Sequence, residues 1–560
     1  MSSPSKVVVI GLDAATPALV EKWIAEDRLP NIARFFADGA IGNLNSVPNR
    51  HSGPAWSTMT TGLNPGKHGI FWFTEDVPET YEYKFINGSY RKGKPFWRIL
   101  SEEGQRVGIM NIPVTYPAEE VNGVFVAGLD SPSADAPGFT HPPELRHEVK
   151  EAAGGEYYVH PALATFVIAG DLDGGLDRIH RSIDKRAAVA ERLMTTRDWD
   201  VFMCVFTESD VVQHFFWRHM EHPEPGDAQR HQTAIRDTYE HLDRVVGRLS
   251  ELAGDDAIVV VVSDHGARFD DGLARALPSW LEHLGMLSYR SSEGASSSSR
   301  LMPLVSKIYR QLDKRLPPEV KHKLSRRLPA VRRRVEVMMT YSRVDWSRTT
   351  AYTDGVRPEI WVNLRGRQSQ GIVEPQDYER VRQEVIDALT SGVCASTGRP
   401  LVKRVMRREE VYSGPFVDRS PDLVLEWSSE GTCLDVRHPD GRAFTLEKRH
   451  LPDDPRDEVL NGGHDQFGIV GLLGPGIRPG RLDGAQIADI APTILFLRHA
   501  SIPSDVDGRV LTEAFTPELV AATPSRQGAS GIVDGGGTTG YSEDEEAEIR
   551  EHLQGLGYVE

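Results

Sequence analysis

Cysteine, long apolar runs and an excess of positive charge are all missing from this sequence. Only three cysteines occur among 560 residues, Cys204, Cys394 and Cys433, and none forms a CxxC pair. We therefore expect neither a disulfide framework nor a thiolate zinc site, and a reducing compartment is favoured. The longest apolar stretch, Ala257–Val262, is far shorter than the roughly 18 residues of a membrane-spanning helix. The apolar run near the N-terminus is too short for a signal peptide, so we expect a soluble, cytoplasmic protein.

Acidic residues outnumber basic ones by 81 to 64, which gives a net charge of −17. This balance disfavours general binding to nucleic acid. Residues 291–348 differ, because a serine-rich loop is followed there by a basic, partly amphipathic stretch. We interpret this segment as a basic helical cap inserted into the main domain. It is either a solvated helix pair or a surface that attracts an anionic substrate or a membrane surface.

Several β-branched runs lead directly into polar residues. These runs are Lys6–Gly11, Asp200–Phe206, Ala257–Ser263 and Gly468–Leu473. Nearly continuous apolar runs are typical of strands buried on both faces, and amphipathic helical patterns such as Gln229–Leu252 lie between them. The alternation predicts an α/β fold with a doubly wound, mostly parallel central sheet. In such folds the functional site lies at the carboxyl ends of the strands.

The predicted catalytic α/β domain is divided into two parts, residues 1–290 and 349–522, by the cap. Residues 523–540 are rich in glycine, serine and threonine and predict a flexible linker. Within residues 541–560, Ser542 and Glu545 have the spacing of a capping box that opens a short acidic helix.

Two of the candidate metal-ligating segments lie early in the chain. Asp13 directly follows the first apolar run, although a helix-capping role would explain it equally well. Asp210 and His214 are four residues apart, so on a helix both side chains would reach one ion. Such a pair also arises by chance.

The two remaining candidate segments contain Asp264 with His265, and His464. Asp264 and His265 end the most valine-rich run, and the bend that Gly266 permits would let both face one site. A strand-end turn with a capping aspartate is the alternative. His464 follows two glycines, which would allow the backbone to approach a ligand closely, but a plain loop histidine also fits.

Ser52 is the candidate nucleophile. It lies two residues before Pro54, where a helix start is expected. Backbone N–H groups and the helix dipole favour an anion there, and a serine alkoxide needs such support or a metal ion. A simple helix cap is the alternative.

Together these segments resemble the alkaline phosphatase superfamily, most closely its type I phosphodiesterase/nucleotide pyrophosphatase family. The resemblance covers most of the chain. It rests on Gly11–Asp13, Pro54–Thr58, Thr61–Ile70, Asp210 with His214, Ser263–Gly266, His464, Asp489–Thr493 and the closing Gly555–Tyr558.

The resemblance implies two divalent metal ions, zinc by preference with manganese as the alternative. The first ion would be held by Asp210, His214 and His464. The second would be held by Asp13, Asp264, His265 and the oxygen of Ser52, which occupies the position of the family's nucleophile.

The sequence departs from nucleotide pyrophosphatases at one point. Those enzymes have an asparagine about twenty residues after the nucleophile, whereas this chain has the aromatic-rich segment Gly69–Phe73. Asn111 is the candidate substitute for binding substrate, and a turn residue is the alternative interpretation.

The predicted function is metal-dependent hydrolysis of a small phosphorylated substrate, either a phosphodiester or a phosphomonoester. A phosphomutase of the same superfamily, such as a cofactor-independent phosphoglycerate mutase, is one alternative. A sulfatase is disfavoured because Trp56 stands where that class has arginine. A non-catalytic, metal-stabilised binding protein is the alternative from another class.

Overall fold

The protein is described here from a computed structural model, which covers residues 5–270, 272–290, 343–355, 357–428, 433–448, 459–533 and 539–555. Most of the predicted basic cap, residues 291–342, lies outside the described residues. Its proposed helices therefore stay a prediction.

The described strands are numbered in chain order. They are β1 (Val7–Leu12), β2 (Ala40–Asn45), β3 (Thr74–Asp76), β4 (Tyr83–Phe85), β5 (Val107–Met110), β6 (Gly123–Val126), β7 (Thr140–His141), β8 (Val201–Phe206), β9 (Ile258–Val262), β10 (Gly266–Phe269), β11 (Ala351–Tyr352), β12 (Glu359–Val362), β13 (Val393–Cys394), β14 (Val402–Arg407), β15 (Leu423–Trp427), β16 (Asp435–Arg437), β17 (Ala443–Thr445), β18 (Gly462–Asp465), β19 (Phe467–Leu473), β20 (Gly480–Leu482), β21 (Ser501–Pro503) and β22 (Arg526–Gly528).

The described α-helices alternate with these strands over much of the chain. They are Pro17–Ala25, Pro30–Asp38, Ser52–Thr61, Pro65–His68, Phe96–Glu102, Leu145–Ala152, Leu163–Ile168, Leu172–Thr196, Glu208–Glu221, Gln229–Gln232, Ala234–Ala253, Leu273–His283, Tyr378–Ser391, Arg408–Val411, Ile490–Leu497, Pro517–Ala522 and Glu543–Gly555.

A nine-stranded sheet forms the centre of the molecule. Its strand order is β20-β2-β19-β9-β1-β8-β5-β6-β7, and β9, β1, β8, β5 and β6 are all parallel to their neighbours within that run. The predicted α/β fold with a doubly wound, mostly parallel sheet is therefore confirmed. Strand β19 runs antiparallel to both of its neighbours, which its apolar sequence could not reveal, because burial on both faces does not fix strand direction.

Helices cover both faces of this sheet. Alternate residues of β1 enter different cores: Val8 and Ile10 pack into one hydrophobic cluster, while Val7 and Val9 pack into the other. Side chains of successive strand residues point to opposite faces. This explains why the first apolar run shows no polar alternation.

Residues between β11 and β17 form antiparallel sheets of their own. Strands β11, β12, β15 and β14 make a four-stranded sheet, and β13, β16 and β17 make a three-stranded one. They share a separate hydrophobic core that includes Trp280 and Trp361. The chain returns to the central sheet only at β19. The division of the catalytic domain into residues 1–290 and 349–522 stays a prediction.

A disulfide joins Cys394 to Cys433, contrary to the sequence-based expectation. The two cysteines are 39 residues apart, but antiparallel pairing of β13 with β16 brings their surroundings together. Cys204 is a buried free thiol. Sequence separation misled the prediction because sheet pairing, and not distance along the chain, decides which cysteines meet.

The predicted flexible linker is partly ordered. Within residues 523–540, β22 pairs in parallel with β21, and Asp505 accepts hydrogen bonds from Ser530 and from the main chain of Gly531 and Ile532. The helix expected at the C-terminus is present as Glu543–Gly555. Its capping box is formed, with Glu545 N–H donating to Ser542 Oγ over 3.4 Å.

Among the described residues, no helix combines the length and the apolar character needed to cross a bilayer.

A buried ion pair anchors the helix that follows β8. The Arg186 and Glu208 side chains are at most 1% exposed and lie 3.4 Å apart. Arg186 also donates to Thr207 Oγ1 at 3.2 Å, and Ser182 Oγ donates to Glu208 at 2.6 Å. This network fixes the turn from β8 into Glu208–Glu221.

Replacing Arg186 with methionine should lower the free energy of unfolding by about 3–5 kcal/mol, because Glu208 is then left buried without its partner charge. Chemical denaturation measures this loss. The double variant Arg186→Met/Glu208→Gln should recover part of it. A single variant as stable as the wild type would show that the pair does not anchor this turn.

Candidate functional site

The candidate site lies where three adjacent parallel strands end. Asp13 directly follows β1, and Asp264 follows β9 after one intervening serine. Strand β8 leads into the helix Glu208–Glu221, which carries Asp210 in its first turn. Because β9, β1 and β8 are neighbours with the same direction, their carboxyl ends bring the three aspartates to one edge of the sheet.

The first group of predicted ligands is centred on Asp210. Its Oδ1 atom lies 3.2 Å from His214 Nε2 and 3.5 Å from His464 Nε2, and the two Nε2 atoms are 3.2 Å apart. His214 is one helical turn after Asp210, as the spacing predicts. His464 comes from β18, which pairs with β10 directly after the bend at Gly266.

The second group contains Asp13, Asp264 and His265. His265 Nε2 lies 3.2 Å from Asp264 Oδ2 and 3.7 Å from Asp13 Oδ1. Ligand atoms of these three residues all lie within 4.8 Å of one another, and the same holds for His265 with Asp210 and His464. The two groups therefore adjoin through His265, whose ring stacks on His464 with centroids 4.0 Å apart.

Ser52 lies beside this junction. It is the first residue of the helix Ser52–Thr61, all of whose residues are buried. Its Oγ lies 3.1 Å from His265 Nε2 and 3.4 Å from Asp13 Oδ1. The hydroxyl thus combines a helix N-terminus with direct contact to the second group, which suits an oxygen that becomes negatively charged.

The donor atoms fit divalent cations. His214 Nδ1 lies 2.8 Å from the Gly462 carbonyl, and His265 Nδ1 lies 2.9 Å from the Gly266 carbonyl. A carbonyl only accepts, so each Nδ1 carries a proton, and Nε2 is the ring nitrogen that faces the carboxylates and is left to bind a cation. Metal-binding histidines are commonly oriented in this way. Burial lowers the pKa of His265 well below its usual value, which keeps this ring neutral.

Charge is crowded in the site. Burial raises the pKa of Asp13 well above its usual value, and the charges of Asp264 and Asp210 raise it further. Burial also raises the pKa of Asp264 to about 7. For Asp210 burial acts in the same direction, but His214 and His464 outweigh it and its pKa falls well below the usual value. Divalent cations would offset the cost of keeping all three carboxylates ionised.

Asn111 belongs to neither group. It follows β5 in a left-handed conformation with φ of 62°, and its side chain is fully buried. Its Nδ2 donates to the Val205 carbonyl in β8 at 2.8 Å. The observed contact is structural, and a substrate-binding role for Asn111 stays a prediction.

A family model for type I phosphodiesterase / nucleotide pyrophosphatase matches residues 7–435, and the chain belongs to this family. The protein is accordingly a phosphoric ester hydrolase of the alkaline phosphatase superfamily. The matched range contains every predicted site residue except His464. That histidine joins the others only through the fold.

Solved structures that are similar to this chain have low sequence identity to it. Murine ectonucleotide pyrophosphatase / phosphodiesterase 5, in an inactive form with AMP, has 14% identity and a TM-score of 0.47, with 91% of this chain and 100% of that chain covered. Phosphonoacetate hydrolase from Sinorhizobium meliloti 1021, with phosphonoformate, has 16% identity and a TM-score of 0.46, with 87% and 94% covered. No curated protein matches the sequence.

Asn49, for which the sequence predicts no role, connects the loop before Ser52 to a strand of a separate sheet. Asn49, three residues before Ser52, donates from Nδ2 to the Phe71 carbonyl at 2.6 Å and to Glu359 Oε1 at 3.4 Å. Glu359 belongs to β12 of the separate four-stranded sheet and is 1% exposed. No local sequence signal marks this contact, because it joins segments 310 residues apart.

Burial raises the pKa of Glu359 to about 7, although Arg357 acts in the opposite direction. Between pH 4.5 and 7 the folded state therefore keeps a proton that the unfolded state has released. The stability that Glu359 contributes should fall as the pH rises through this window.

Glu359→Gln should remove this dependence, because the amide does not titrate. As the pH rises from 4.5 to 8, the difference in unfolding free energy between the variant and the wild type should shift in favour of the variant by on the order of 2–3 kcal/mol, because only the wild type loses stability over this range. Chemical denaturation at a series of pH values gives this difference. Glu379→Gln, at a side chain that is 67% exposed, is the matched control. A stability difference independent of pH would contradict the prediction.

Proposed function

We propose that the protein hydrolyses phosphate esters with Ser52 as the nucleophile and two divalent metal ions, zinc by preference and manganese as the alternative. The observation that carries the proposal is the position of Ser52 Oγ, 3.1 Å from His265 Nε2, where the two groups of potential ligands adjoin. Asp210, His214 and His464 would hold one ion. Asp13, Asp264, His265 and Ser52 would hold the other.

The charge balance supports a phosphoryl substrate. Three carboxylates bring −3 and two divalent ions would bring +4, while histidines that bind a metal ion do so as neutral rings and would add nothing. The excess of about one positive charge suits a phosphate ester and its more crowded transition state. When bound, the two ions would supply Lewis-acid stabilisation and lower the pKa of the serine hydroxyl.

The chain's own residues then suffice to outline the reaction. Asp13 and His265 hold the Ser52 hydroxyl at the helix N-terminus, where the oxygen attacks phosphorus as its proton leaves. A bond forms between Ser52 Oγ and phosphorus while the bond from phosphorus to the leaving oxygen breaks; the serine proton passes to solvent water, and the leaving alkoxide takes up a proton from solvent. Water then cleaves the phosphoserine and regenerates Ser52. Catalysis of this kind depends chiefly on positioning and electrostatics.

Substrate choice is proposed at the level of a small phosphorylated molecule. The Trp72 ring lies against the ring of His51, next to Ser52, with centroids 3.5 Å apart and the planes tilted by 31°, and the Arg357 guanidinium lies 5.5 Å from the centre of the Trp72 ring. Trp72 and Arg357 also line a small cavity together with Trp361 and Arg419. They are the residues that we expect to contact the part of the substrate beyond its phosphate.

The cytoplasmic location inferred from the low cysteine count stays a prediction. The disulfide between Cys394 and Cys433 weighs against it, because such bonds are typical of oxidising compartments.

Ser52→Ala should lower turnover of phosphate esters by at least about a thousandfold, because the attacking oxygen is lost. Most of the proposed ligands remain, so zinc content should stay near two per chain. Activity is measured with p-nitrophenyl phosphate and bis(p-nitrophenyl) phosphate, and zinc by elemental analysis. Ser57→Ala is the control, since Ser57 Oγ donates within the helix, to the Gly53 carbonyl at 2.8 Å.

The same assays separate the competing functions. Full activity in Ser52→Ala would refute the nucleophile assignment. Transfer of phosphate to an added acceptor in place of water would favour the phosphomutase. Hydrolysis of none of the esters by the wild type, with zinc or manganese present, would favour the binding protein.

A further inference from the structure

Trp56 contacts a proposed metal ligand directly. It lies four residues after Ser52 in the same helix, so both side chains leave the same helix face. The indole Nε1–H donates to Asp13 Oδ2 at 3.0 Å. Trp56 is fully buried, so no solvent competes for this bond.

The two oxygens of Asp13 have different neighbours. Oδ2 accepts the Trp56 hydrogen bond, while Oδ1 lies 3.4 Å from Ser52 Oγ and 3.7 Å from His265 Nε2. A carboxylate with one oxygen held cannot rotate freely about its terminal bond. The indole therefore selects Oδ1 as the oxygen that faces the candidate site.

The position of the Trp56 ring depends on Gly11. A Cβ atom at Gly11 would lie 2.6 Å from Trp56 Cη2 and 2.8 Å from Val205 Cγ2. The indole thus packs directly on the backbone of β1, two residues before Asp13. Only glycine leaves room for the ring at this distance.

We propose that Trp56 is a positioning residue that orients Asp13 for the metal ion of the second group, and that Gly11 provides the space this requires. The inference rests on the proposed two-metal function. Hydrogen bonds to a metal ligand typically change metal affinity 10–100-fold when they are removed. Loss of the Trp56 hydrogen bond should therefore lower the affinity only for the metal ion that Asp13 would bind.

The test is a zinc titration against a chromophoric chelator, one site at a time. Trp56→Phe is combined with His214→Ala to report the second group, and with Asp264→Asn to report the first. We expect zinc affinity at the second group to fall about 10–100-fold, and affinity at the first group to stay within about twofold. The same backgrounds carrying Trp56 provide the reference.

Trp97→Phe is the matched control. Trp97 is also fully buried and packs in the same hydrophobic cluster, but its indole donates to Glu119 at 3.3 Å, away from the site. It should leave both affinities unchanged. Gly11→Ala keeps the indole donor but displaces the ring, so it should weaken the second group as Trp56→Phe does, and it serves if Trp56→Phe does not fold.

Three outcomes would overturn the proposal. These are equal weakening of both groups, unchanged affinity at both, and wild-type affinities in Gly11→Ala. A wild-type protein that binds no zinc at either group would instead refute the proposed function, so the two failures are distinguishable.

Discussion

Mutual repulsion among three buried carboxylates is the constraint on which the candidate site depends. Asp13, Asp210 and Asp264 are each at most 2% exposed, and their ligand oxygens converge with imidazole nitrogens. Burying such a set in a folded protein is costly unless positive charge accompanies it. The arrangement therefore favours cation binding over a purely structural role, and bound cations would in turn favour an anionic substrate such as a phosphate ester.

The fold meets this constraint by placing each ligand on a rigid support. Asp13 follows a strand buried on both faces, and the Asp210 helix is tied down by the Arg186–Glu208 pair. Main-chain carbonyls fix the rings of His214 and His265.

The sequence predicted the parts of this architecture that are local. Apolar runs that lead into polar residues located β1, β8 and β9, and the four-residue spacing of Asp210 and His214 placed both on one helix face. Contacts between residues far apart in the chain could not be predicted from the sequence. Nothing near Cys394 indicates Cys433, and the antiparallel direction of β19 leaves no mark on its composition. The Asn49–Glu359 contact joins the loop before Ser52 to strand β12. Trp56 could have been found, since its spacing from Ser52 is helical, but its partner Asp13 follows from the fold alone.

Anomalous X-ray diffraction at the zinc absorption edge, from crystals of the zinc-loaded wild type, tests the central claim most directly. The account predicts two zinc peaks per chain. One should lie among Asp210, His214 and His464, and the other beside Asp13, Asp264 and Ser52, at a separation of about 4 Å. A single peak, or peaks bound elsewhere on the surface while these carboxylates bind none, would contradict it.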